Sequence, residues 1–122
     1  EVMARIEFPD TVIVIGPKHT RQGVDWAVAP HETWSAPGIE LANDQELAAQ
    51  LVENIEHLQL DAVAHQQEHA IEVELPLLHH FAPNSKVVGI AIGGGSFESC
   101  QGFASGFAIT LLERYGETFV LI

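Results

Sequence analysis

Thr11-Val12-Ile13-Val14-Ile15-Gly16-Pro17-Lys18-His19-Thr20 is the stretch that decides the fold. Five β-branched residues run into a Gly-Pro pair and then a histidine. A continuous Val/Ile run is the pattern of a strand buried on both faces, as in a parallel sheet covered by helices. Gly16 and Pro17 stop the strand and deliver Lys18, His19 and Thr20 to its carboxyl end. That edge is where open α/β sheets bind ligands. His19 is therefore the best-placed chemical residue of the chain, read either as a metal-binding or catalytic group or as a plain loop residue.

Working outward, the Val/Ile pattern returns at Lys86–Ile92, closed by Gly93-Gly94-Gly95, and again at residues 118–122. Between the strands the period changes. Leu47, Leu51, Ile55 and Leu58 recur at helical spacing behind Asn43 or Asp44 as N-cap, which predicts a helix over residues 44–57. Ser96 caps a second helix over about 97–114 that ends near Gly116. Residues 18–38 read as a loop with one short strand at Trp26–Val28. Residues 64–83 alternate at strand period over Ile71–Leu75 yet also fit a helical stripe. The longer stripe predicts a helix from about Ala70, kinked where Pro76 removes an intrahelical bond. Strands alternating with helices give an α/β domain, a largely parallel sheet flanked by helices.

Composition excludes several function classes. The 122 residues are 47% hydrophobic, enough for one domain with a core. Seventeen acids against five bases give a net charge of -12, which disfavours nucleic acid and anionic membranes as partners. The single Cys100 admits no intrachain disulfide and fits a reducing compartment. No signal peptide or membrane-length apolar run is visible, so a cytoplasmic protein is expected. Chain ends without an initiator Met and on a bare apolar run predict the middle of a longer protein.

His65, Glu68, His69 and Glu72 would share one face of a continuous helix. His-x-x-x-His can chelate a metal beside a carboxylate that orients a ligand or acts as base. The alternative is a polar N-terminal helix face whose acids favour the positive dipole end. Gly93–Ser96 lacks the spacing of a phosphate loop and reads as a plain loop. Cys100 falls early in the following helix, with packing as its expected role.

Two segments, Gly16-Pro17-Lys18-His19-Thr20 and Ala64-His65-Gln66-Gln67-Glu68-His69-Ala70-Ile71-Glu72-Val73-Glu74-Leu75-Pro76-Leu77-Leu78, resemble the Memo-like family, also called AmmeMemoRadiSam system protein B. The family pattern is a strand ending in Gly-Pro-x-His and a later Glu-His-Ser-Ile-Glu-x-x-Leu-Pro segment; here Ala70 stands for the serine. The resemblance covers nearly the whole chain, read as a single Memo-like domain fragment over residues 1–122. It implies a fold similar to class III extradiol dioxygenases, with a divalent metal held by histidines. Iron or copper is expected, with zinc as a further candidate. His19 matches a family metal ligand, and Glu68 and His69 match the pocket motif, where they would handle protons as catalytic residues. The family's other ligand histidines would fall before residue 1 and after residue 122. An AMMECR1-type protein and a radical-SAM enzyme are the implied partners. The resulting expectation is a metal-dependent, dioxygenase-like oxidoreductase of unknown substrate. The alternative is a binding or scaffold module that uses the same pocket for a peptide or partner protein.

Overall fold

A computed structural model describes residues 3–116. Its main sheet has four strands in the order β1 (Thr11–Pro17), β6 (Lys86–Ile92), β2 (Trp26–Val28), β5 (Gln59–Leu60). β1 runs parallel to β6 from Thr11 opposite Lys86 to Pro17 opposite Ile92, and β2 runs parallel to β5. β2 is antiparallel to β6, so the sheet is mixed but mostly parallel. Residues 18–38, expected as loop around one short strand, also contribute β3 (Thr33–Ala36). It pairs with β4 (Ile39–Ala42) in a separate hairpin. The hairpin turns on Pro37-Gly38, where Gly38 takes φ +75°.

The central strand is β6 rather than β1. Val87, Val88, Ile90 and Ala91 are all but fully buried, whereas β1 is half-buried and Ile15 is 47% exposed. The Val/Ile run of β1 was expected to be covered on both faces; it lies at the edge of the described sheet, so it has a neighbour on one side only. β6 divides the core by alternation. Val88 and Ile90 pack with Leu47 and Leu51 of α1 (Gln45–Asn54), with Ile55 just beyond it, and with Phe107 and Leu111 of α3 (Phe97–Tyr115). Val87 faces Trp34, Leu41, Ile71, Leu75 and Leu78 on the other side. Gly89 lies under Trp34: a Cβ there would collide with the indole, so β6 carries glycine where the ring presses on the strand.

The helices depart from expectation at their ends. α1 stops at Asn54, three residues early, because Ile55 is extended and His57 turns the chain at φ 69°. Ile55 and Leu58 still pack into the same core from that turn, which is why their spacing resembled helix. No helix starts at Ala70. A 3₁₀ turn at Glu72–Glu74 precedes α2 (Leu75–Phe81), and Pro76 occupies its first turn, where a missing N–H costs nothing and no kink follows. Ser96 caps α3 as expected, its hydroxyl accepting from Ser99 N–H at 3.1 Å. Cys100 is exposed on that helix, so it does not serve the core. The strand expected at residues 118–122 lies outside the described residues. Among the described residues no helix is long and apolar enough to cross a membrane.

Asp44 ties the amino end of β1 to α1. Its carboxylate accepts from Leu47 N–H at 3.1 Å and Thr11 Oγ1 at 2.7 Å, and lies 3.7 Å from Arg114 of α3. Burial pushes this carboxyl up, but the Leu47 and Thr11 hydrogen bonds and the Arg114 and Lys86 charges outweigh it. The group is held below the usual carboxylate range. Asp44→Ala is expected to lower unfolding stability by about 2 kcal/mol in denaturant titration. Because the folded-state value is depressed, the contribution of Asp44 is complete above about pH 4. It fades as pH falls through the folded-state value, and the variant should lack that part of the acid dependence.

Candidate metal centre

β1 ends at Pro17, and Lys18 N–H donates to Ile92 O at 2.8 Å, holding the chain against β6 as it leaves the sheet. His19 therefore stands just beyond the strand's carboxyl end. The second half of the site arrives on residues 66–71, between the 3₁₀ turns Val63–His65 and Glu72–Glu74. Asp61 shapes the entry to this segment by accepting from the N–H groups of Val24, Val63 and Ala64. Gly16 shapes its landing. A Cβ at Gly16 would lie 3.0 Å from the Ala70 Cβ, so the absence of a side chain lets the segment sit directly on the end of β1.

That landing buries Glu68, whose side chain is 1% exposed. Oε1 accepts from His19 Nδ1 at 2.9 Å, His69 N–H at 2.9 Å and Ala70 N–H at 3.1 Å, while Oε2 accepts from His19 N–H. Burial pushes the carboxyl up, but the His19 ring and the three backbone donors overcome it and bring it down to about 2. In the neutral His19 ring this bond fixes the proton on Nδ1 and leaves the Nε2 lone pair open. A carboxylate behind an imidazole is how metal-binding histidines are commonly oriented. The His69 ring stacks on that of His19 at 5.2 Å between centroids and 18° between planes. The two side chains are 53% and 67% exposed. One ligand atom from each of His19, Glu68 and His69 fits within 4.8 Å of the others.

The structure thus brings together the three residues singled out in the sequence. It does not bring in His65 or Glu72, because no continuous helix aligns them with Glu68 and His69. His65 turns instead toward His31 and Trp34, with ring centroids 6.4 Å and 6.0 Å away. A cleft of about 220 Å³ opens there, bordered by His31, Trp34, His65, Glu68 and Glu72. Burial lowers the pKa of His31. Burial and then the nearby His31 lower that of His65, against the opposing Ala27 carbonyl, Asp61 and Glu68. Sequence reasoning missed His31 and Trp34, which no spacing marks. It also missed Asp61, which was legible as an acid two residues before a helical turn.

A family model described as Memo-like protein matches residues 1–122. The chain belongs to the Memo-like family. A MEMO1 family protein of Sulfurisphaera tokodaii is 33% identical over 116 residues, covering 94% of this chain and 40% of the relative. Another from Methanobrevibacter smithii is 32% identical over 103 residues, covering 84% and 36%. A third, from Saccharolobus islandicus, is 41% identical over 85 residues, covering 69% and 30%. This Memo-like chain spans about two fifths or less of the length of these relatives. No solved structure matches it.

The clasp between Glu68 and His19 is directly observable. Nitrogen NMR of the neutral His19 ring is expected to show the proton on Nδ1. Glu68→Gln should shift the population toward the Nε2–H form, because an amide oxygen is a weaker acceptor than a carboxylate.

Proposed function

We propose that this chain supplies part of a metal-linked redox centre on a fold of the class III extradiol dioxygenase type. The observation that supports this reading most directly is the buried Glu68 carboxylate behind His19, which leaves Nε2 free beside a second, exposed imidazole. The donor set suits a borderline metal. An imidazole with its Nε2 open and a carboxylate behind it is ligand chemistry that iron, copper and zinc accept.

In this reading His19 holds the metal. An open catalytic site takes about three protein ligands, so the set is completed by residues outside this cluster. Glu68 is committed to four donors and held ionised, which makes it the group that positions His19. His69, exposed and stacked on His19, is free to accept or deliver a proton at its ring. Iron or copper bound there supplies one-electron and O₂ chemistry. Glu68 and His69 of the segment at 66–71 flank the His19 ring, which stays half-exposed.

Elemental analysis of the native protein, purified without oxygen and with metal supplied, tests the reading. Near-stoichiometric iron or copper is expected in the wild type, with loss in His19→Ala. Glu68→Gln should weaken metal affinity by about 10–100-fold. Oxygen uptake should follow metal content. Wild type and His19→Ala equally free of metal would overturn the proposal and leave a binding or scaffold module for a peptide or partner protein.

A further inference from the structure

The inward side of α3 is packed: Gly106, Phe107, Thr110 and Leu111 are buried against the core. Its outward side carries no charge. From Ser99 to Leu112 the helix contains no Asp, Glu, Lys or Arg, and Ile109 and Leu112 stand 52% and 48% exposed. We propose that this face is an interface between two copies of the chain, with the two α3 helices antiparallel. In that pairing Gly102 of each helix lies against the partner's Leu112, and Ser105 against the partner's Ile109.

Two glycines of α3 differ in what surrounds them. A Cβ at Gly106 would lie 2.7 Å from the Asn54 carbonyl oxygen, so its absence lets α3 close on the end of α1. Gly102 has no such neighbour. It is exposed, and a Cβ there would meet nothing within 4 Å among the described residues. Inside a helix glycine is among the least favourable residues, because it has the most backbone freedom to lose. Gly102 therefore weakens α3 with no offsetting contact among the described residues. A second backbone brought close to it supplies that contact, as the end of α1 does for Gly106.

The order of residues along the face points to a second copy. Gly102, Ser105, Ile109 and Leu112 recur at the alternating three- and four-residue spacing of a seam along which two helices pack side by side. The first two are small and the last two large. Turned end for end, the seam is its own complement: the large pair of one helix enters the space left by the small pair of the other. Such self-complementarity is what a two-fold dimer contact requires. Charge agrees. The chain carries -12, so a basic partner would gain from acids on the face, whereas an identical copy would be repelled by them. Glu98 and Glu113 lie at the two ends of the seam. In the antiparallel register Glu98 falls opposite the partner's Gly116 and Glu113 opposite the partner's Gln101, so no acid faces an acid. The seam shares no residue with the His19 cluster, which makes it independent of the metal reading.

Analytical ultracentrifugation of the native protein across the micromolar range tests the proposal. One helix pair covers less than the ~800 Å² per partner of a standard interface, so a monomer–dimer equilibrium with a micromolar Kd is expected. Added salt should tighten it by screening the like charges. Leu112→Glu should abolish the dimer and leave the monomer folded, since that side chain is half-exposed. Gly102→Ala separates pairing from folding. Measured below the Kd, its unfolding midpoint should not fall, yet its dimer should be about tenfold weaker. In a Cys100→Ser background, mixed Ser105→Cys and Ile109→Cys proteins should oxidise to a mixed disulfide faster than either forms its own. A protein that stays monomeric throughout overturns the proposal, including a monomer whose Ser105→Cys thiol is shielded from labelling by another part of the same polypeptide. A dimer that neither Leu112→Glu nor Gly102→Ala weakens overturns it too, as does a mixed disulfide that forms no faster than the others.

Discussion

The buried carboxylate of Glu68 is the constraint on which the functional end of this molecule depends. A carboxylate removed from water is costly unless donors replace its hydration. Here four donors do so, from two segments 49 residues apart in sequence. Each bond to an ionised acceptor contributes on the order of 1.5–3 kcal/mol. Satisfying the charge and positioning His19 are therefore the same event. Any displacement of the segment at 66–71 leaves an uncompensated buried charge, which gives a connection without regular secondary structure a defined place.

Asp44 does the equivalent work at the other end of β1, joining Thr11 to the start of α1 and to Arg114 of α3. The edge strand is thus held at both ends by buried acids from other segments, while its middle rests on β6. In a chain with so few bases this arrangement has a physical logic. Most acids of the described residues remain in water, and the two buried among them take their donors largely from backbone N–H groups and from a hydroxyl and an imidazole.

Glu68 also separates two environments. On one side are the exposed, stacked imidazoles of His19 and His69; on the other is the cleft where burial keeps His31 and His65 toward their neutral forms. Four histidines in one neighbourhood therefore divide into two kinds. The division follows from which ring accepts the carboxylate's company and which turns toward Trp34.

Local patterns in the sequence determined much of this. The β1 and β6 runs, the α1 stripe and the Asp44 and Ser96 caps were legible because each rests on the chemistry of near neighbours. By contrast, β1 runs on through Gly16 and Pro17, where its stop was expected, because both still pair with β6. His19, Glu68 and His69 were marked as candidates by the motifs that carry the family resemblance, while their meeting across 49 residues is a tertiary contact. Tertiary structure alone decided that β1 lies at the edge of the described sheet, since pairing partners are chosen across the chain and a strand's composition does not name them. It also decided that Pro76 opens a helix instead of kinking one, and that His65 leaves the cluster, because the segment at 66–71 bends to bring the Glu68 carboxylate to donors on β1's end. The cleft, finally, depends on Trp34 meeting Gly89 and His65 from three distant segments. No spacing within any one of them encodes that meeting; only packing of the whole chain produces it.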